Sequence, residues 1–275
     1  MSTSNTDGSL ITDAVRVAAR SGEPDRYLAS LLAPKAVRGD LATLAAFSAE
    51  LGRIVQIASE AMAGEIRLQW WRDALETMAR EQSVGHPLAD ALVGVMRRRH
   101  LPMTLLQSLI DARSVELGID QAAGEDALGT YLDAAEGAQF RLWLRVLGVT
   151  DASGLDVIVG AAARAYGIAR RPGRLLLALR VPEVVIPAAQ AGNIPALPGE
   201  AHDALAVMRE EARAALITVR GGLEPEHLPA LLPLVMVEPY LRAQERMSDP
   251  LHRVVDVAPL ARVSRIWWAH VRGRI

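Results

Sequence analysis

The 275-residue chain is 51% hydrophobic but only 4% aromatic, and its formal net charge is −2. That length supports one sizeable core, which Ala, Leu and Val must fill, a composition that favours packed helices over strands. The near-neutral charge gives no reason to expect a nucleic-acid partner, and the absence of cysteine excludes disulfides, thiolate metal sites and a cysteine nucleophile.

Apolar residues recur at helical spacing nearly throughout, with no sustained alternation of period two. The first eight residues, MSTSNTDG, are polar and lack the apolar core of a secretory signal. Residues 1–9 are therefore expected to form a disordered tail, and residues 10–275 one all-α domain. Two short helices are predicted over Ile11 to Ala19 and Pro24 to Ala33. Asp40 is the expected cap of a long helix with an apolar ridge through Leu41, Leu44, Ala45, Leu51, Ile54, Val55 and Ala58. The next helix runs from near Ala63 to about Ser83. Further helices open at Pro87, ending in Arg97-Arg98-Arg99-His100, and at Pro102, closing at Gly118. The three arginines read as a solvated helix end, favourable at the negative pole of the dipole.

A long helix is predicted over Glu125 to Leu147, stopped by Gly148. Another starts at Asp151 or Ser153 and reaches about Arg171, before Pro172. Val181 to Gly199 holds four prolines and is the extended loop. Helices over Glu200 to Arg220, Pro225 to Met247 and Val257 to Arg272 complete the chain. The most apolar run, Leu228 to Val237, is about half the length of a membrane span and carries two prolines. The expected location is cytoplasmic, with peripheral contact at an inner membrane as the variant.

Arginine supplies 29 of the 30 basic residues, Lys35 being the exception; coding composition explains this more simply than phosphate recognition does. The six histidines show no paired ligand spacing, and no glycine-rich phosphate loop or GxSxG is present. Asp73/Glu76, Asp133/Glu136, Glu200/Asp203 and Glu245/Asp249 each share a helix face and can offer paired carboxylates to a metal, though solvated surface is the commoner role.

The most telling stretch is Met62 to Leu75, MAGEIRLQWWRDAL. Trp70 and Trp71 lie about 100° apart on its helix, so one can face the interior while the other spreads along a flank. With DRYLASLLAP (25–34) and RGDLATLAAFSAELGRI (38–54), it resembles the squalene/phytoene synthase family, nearest to the branch that includes the mitochondrial complex I assembly factor. Tyr131 to Gly137, leading into Leu142 to Gly148, is similar to the family's tyrosine-led helix beside the substrate. Val185-Ile186-Pro187 occupies the place of a tyrosine-leucine-proline segment. The resemblance covers roughly residues 20 to 240.

It implies an isoprenoid-synthase-type helical bundle around a central apolar cavity. In the active members, two aspartate-rich motifs on facing helices hold magnesium against prenyl diphosphates, because that cation takes hard oxygen ligands and stabilises the departing diphosphate. The first motif's positions here are Gly52, Arg53 and Gln56, with Glu50 the nearest acid. The second motif's positions are Arg171, Arg174 and Leu175. A guanidinium in place of a carboxylate repels the cation. The resemblance therefore implies a non-catalytic relative without catalytic residues, metal or cofactor, acting in respiratory complex I assembly or in lipid or partner binding. The alternative is an active magnesium-dependent, head-to-head prenyltransferase using displaced acids such as Glu50.

The substrate-side candidates implied are Tyr27, Arg38 and Glu50. Arg53, Arg164, Arg170, Arg171 and Arg174 would line a cavity for the head of a prenyl or other anionic lipid. Core packing of Tyr27, and pairing of the arginines with neighbouring acids, explain the same residues without a ligand. The partners expected are such a lipid, an assembly partner or a membrane surface.

Overall fold

Prolines and short polar side chains divide the chain into helices. The computed structural model describes residues 12–79, 85–118, 126–149, 155–170, 199–247 and 255–275, and among these residues there is no strand. The helices are α1 (Asp13–Gly22), α2 (Pro24–Leu32), α3 (Arg38–Ile57), α4 (Ala61–Ala79), α5 (Pro87–Arg99) and α6 (Met103–Glu116). They continue as α7 (Ala127–Leu132), α8 (Ala138–Val146), α9 (Leu155–Arg170), α10 (Gly199–Gly221), α11 (Leu228–Leu231), α12 (Val237–Glu245) and α13 (Pro259–Arg272). Thr12 caps α1 by accepting from the Val15 amide, and Asp126 caps α7 by accepting from Gly129. Gly118 and Gly148 end their helices in the left-handed region, at φ 76° and 89°.

Helix α3 is the central column. Leu41, Leu44, Phe47, Leu51 and Ile54 are buried along it, with Ala42, Ala45, Ala46 and Ala49 between them. Small residues on several faces let α1, α2, α5, α6 and α8 all pack against one helix. Trp71 turns inward and meets Phe47 edge to face at 5.0 Å, while Trp70 stays on the flank, as the 100° offset requires.

Three predicted elements differ. Asp40 is not the cap of α3, which begins at Arg38; it lies in the first turn, buried, and accepts from Arg98 and Arg99 at 2.7 Å each. The arginine run ending α5 is thus tied to α3 rather than merely solvated. The helix predicted over Glu125 to Leu147 is interrupted by a π turn (Asp133–Gly137) between α7 and α8. The helix predicted over Pro225 to Met247 is divided into α11, a 3-10 turn (Leu232–Met236) and α12, where Pro229 and Pro233 each remove a backbone donor. The predicted tail at 1–9 and most of the loop from Val181 to Gly199 lie outside the described residues. No described helix is long and apolar enough to cross a membrane.

Candidate functional site

On α3, Gly52 is buried, while Arg53 and Gln56 are exposed. Arg53 does not reach into the bundle. Its Nε and Nη2 donate to the two oxygens of Glu50 at 2.9 and 2.7 Å, a fork that occupies both carboxylate oxygens. That hydrogen bonding and the adjacent negative charge raise the Arg53 pKa further. The one acid near the first motif's positions therefore already has a cation on it.

Arg170, at the end of α9, points inward. Its Nη1 donates to Glu23 Oε2 at 2.5 Å and its Nη2 to the Gly22 carbonyl at 2.8 Å, joining α9 to the α1–α2 junction. Arg171, Arg174 and Leu175 lie outside the described residues. Arg164, two turns earlier on α9, bonds Asp126 and Glu211 instead. It lines an open cleft of about 430 Å³ between α9 and α10, with Asp156, Val157 and Gly160. Arg38 donates to the Ala33 carbonyl at 2.8 Å, beyond the end of α2, and Tyr27 is half-buried against the core. Among the described candidates, Arg53, Arg164 and Arg170 thus enter separate ion pairs, and Arg38 bonds a backbone carbonyl.

What the helices do bring together is a buried network of charges. Arg26 donates to Glu23 at 3.0 Å and to Glu136 at 2.5 Å, with its guanidinium 5.2 and 4.9 Å from the Phe140 and Tyr166 rings. Ser48 of α3 adds a bond to Glu23 at 3.3 Å. Asp25 accepts from the hydroxyls of Tyr166 and Tyr240 at 2.8 and 2.7 Å. Arg262 Nε lies 2.7 Å from Asp25 Oδ1, close enough for an ion pair, although its N–H is off the hydrogen-bond axis. Beside them, Glu116 takes bonds from Arg113 and, at 2.8 Å, from Tyr131. Four carboxylates (Glu23, Asp25, Glu116, Glu136) face four guanidinium groups (Arg26, Arg113, Arg170, Arg262), all buried. Charge balance of this kind is the condition under which ions persist in a protein interior. Between α2, α9 and the π turn, the described interior is ionic.

The electrostatics follow. Burial alone would lower the pKa of Arg26, but Glu136 and Glu23 outweigh it and hold the group charged. Burial, reinforced by Asp25, pushes the Tyr166 phenol well above its ordinary value despite Arg170 and Arg26 nearby. Tyr240 shifts the same way for the same leading reasons.

Two of the predicted carboxylate pairs, Asp73/Glu76 and Asp133/Glu136, lie wholly among the residues with described side chains. In the tract that the family resemblance places beside substrate, Asp133 accepts from Arg141 at 2.8 Å while Glu136 turns inward to Arg26. Asp73 accepts from Gln69, and Glu245 from Arg213. Glu200 is not described at side-chain level, and Asp249 lies outside the described residues. Sequence reasoning missed Glu23, Arg26, Arg113 and Arg262. A signal existed for Arg26: with Ala29 and Ala33 it follows i, i+3, i+7 spacing, so a charge sits on the apolar stripe of its helix.

Comparison with known proteins places this geometry. The squalene/phytoene synthase family model matches residues 19–265. NADH dehydrogenase (ubiquinone) complex I, assembly factor 6, of Rattus norvegicus is 32% identical over 132 residues, which is 48% of this chain and 40% of that protein. The Homo sapiens protein of that name is 27% identical over the same length. The match thus spans well under half of these relatives. Squalene synthase HpnC from Alicyclobacillus acidocaldarius superimposes with a TM-score of 0.62 at 18% identity, covering 84% of this chain and 92% of that one. A dehydrosqualene synthase in complex with ligand gives 0.58 at 12% identity, with 94% and 95% covered. At such identities these two structures speak to the fold.

Proposed function

The chain belongs to the squalene/phytoene synthase family, and from that premise we propose that it is a non-catalytic member, without magnesium-dependent prenyl transfer. Its role is in respiratory complex I assembly, through binding of a protein partner or an anionic lipid. The observation that carries this reading is the Arg53–Glu50 fork. At the first motif's positions the chain offers a glycine, a guanidinium and a glutamine, and the adjacent carboxylate is already paired on both oxygens. A magnesium ion there would meet repulsion instead of ligands. The inward, acid-bound Arg170 beside the second motif's positions supports the same reading. The names of the curated relatives support the assembly role, over the part of them that this chain matches.

Two experiments test the proposal. Incubation with farnesyl or geranylgeranyl diphosphate and magnesium is expected to release no diphosphate above a boiled control. Turnover that disappears in Glu50→Gln would establish the active prenyltransferase instead. Deleting the gene in its host is expected to lower NADH:ubiquinone reductase activity of the membranes, with succinate oxidation unchanged; equal NADH activity in the deletion strain would remove the assembly role.

A further inference from the structure

Helix α13 buries one face and leaves the other bare. Arg262, Ile266 and Ala269 turn inward against α2 and the 232–236 turn, whereas Leu260 is 85% exposed, Trp267 51% and Trp268 48%. Leu260, Val263, Trp267 and Val271 follow i, i+3, i+7, i+11 spacing, so at about 100° per residue they form one continuous outward ridge, with Trp268 on its flank. Exposed apolar side chains scattered singly are ordinary; a ridge three turns long holding two tryptophans is not.

The charge on α13 itself has one sign. After Asp256 the chain has no acid, and Arg265, Arg272 and Arg274 are exposed with no carboxylate partner among the described residues. Arg265 and Arg272 fall on one side of the ridge, and the Arg272 guanidinium sits 4.4 Å over the Trp268 ring. Arg220 donates to a backbone oxygen of Ile275 at 3.1 Å. The contrast is α4, whose exposed Met62, Ile66 and Trp70 are accompanied by Glu65 and Asp73. Apolar side chains with interfacial tryptophans along a cationic flank match a bilayer surface carrying anionic headgroups: the ridge enters the acyl boundary and the arginines meet phosphates.

We propose that the outward face of α13 docks the protein, helix parallel to the plane, on a membrane surface rich in anionic phospholipid. This docking is independent of the proposed loss of prenyl transfer. The full chain is to be floated with phosphatidylcholine vesicles and with vesicles containing phosphatidylglycerol. Flotation is expected with the anionic vesicles and not with the neutral ones. Trp267→Ser/Trp268→Ser is expected to weaken partitioning about tenfold by removing buried apolar area. Arg265→Gln/Arg272→Gln should weaken it by the same order through lost headgroup attraction. Ile66→Ser on α4 should leave it unchanged, and circular dichroism checks that each variant folds. Failure to float, or flotation that the α13 variants do not diminish, overturns the proposal. A wild-type dimer in sedimentation velocity that Trp267→Ser/Trp268→Ser dissociates would assign the ridge to a second copy of the chain instead.

Discussion

Arg26 is held by two carboxylates and two aromatic rings, and Glu23 and Glu136 each depend on it. Replacing it with alanine leaves both acids buried with less compensation, the situation in which breaking a buried pair costs about 3–5 kcal/mol. Arg26→Ala is therefore expected to lower the urea unfolding free energy by that order. Glu136→Gln, which leaves Glu23 on Arg26, should cost less; equal costs would mean that the two acids do not share the guanidinium. The two tyrosines on Asp25 give the network a pH dependence. Both phenols are raised above the ordinary value of 10.0, so both are held neutral by the folded state. Their contribution is complete below the unfolded pKa, and it fades as pH rises from there through the folded value, because the unfolded chain ionises first. The denaturant midpoint should fall above about pH 10, and less steeply in Tyr166→Phe/Tyr240→Phe. These residues escaped sequence reasoning because their partners are far along the chain: Asp25 meets Tyr166 and Tyr240, 141 and 215 positions away. Periodicity reports which face of a helix is buried, but not which distant charge will meet it. Arg53 and Glu50 were legible as neighbours, one helical turn apart.

At the scale of elements, the π turn is what aims Glu136. A π turn carries one more residue than the α turn it replaces, which shifts every following side chain by about 100°. Deleting Ala134 would restore α geometry and move Glu136 off Arg26, so the deletion should destabilise more than Ala134→Gly. No motif marks this turn in the sequence, which reads as an uninterrupted helix by spacing alone. Helix α9 offers a paired test with one substitution at two positions. A Cβ on Gly167 would run into the Leu132 side chain of α7, whereas one on Gly160 meets nothing within 4 Å. Gly167→Ala should cost about 1–3 kcal/mol by overpacking. Gly160→Ala should stabilise by up to about 1 kcal/mol through helix propensity. Thermal unfolding checks both; the same sign for the two would mean that α7 and α9 are not packed as described. Caps and prolines made most helix starts legible, as at Pro24, Pro87 and Pro102. The cap of α3 was misread because Asp40 has a stronger use, in joining α3 to α5.

For the whole molecule, the helical class followed from an Ala- and Leu-rich chain without alternating runs, and the family followed from residue identities around Trp70 and Trp71. The interior charge network was not legible, because four acids and four arginines spread over α2, α6, α9, α13, the π turn and the α1–α2 junction carry no local pattern. The ion pairs of Arg53 and Arg170 bear on how the protein responds to the family's ligands. A synthase that binds magnesium and diphosphate together gains native-state stability from both, about 2.7 kcal/mol at a hundredfold excess over Kd. For a domain of this size, each kcal/mol moves Tm by about 2–4 °C. Arg53 is bound to Glu50 and Arg170 to Glu23, and on the proposed reading the metal has no carboxylates to recruit there. The melting temperature with farnesyl diphosphate should therefore be the same in magnesium as in EDTA. A rise that requires magnesium would show that carboxylates elsewhere have taken over the motif. A rise of equal size in both buffers would show metal-free binding of the anionic lipid, and Arg53→Ala would then decide the place: a diminished rise puts the headgroup at Arg53 in exchange for Glu50, and an undiminished one moves it away from α3.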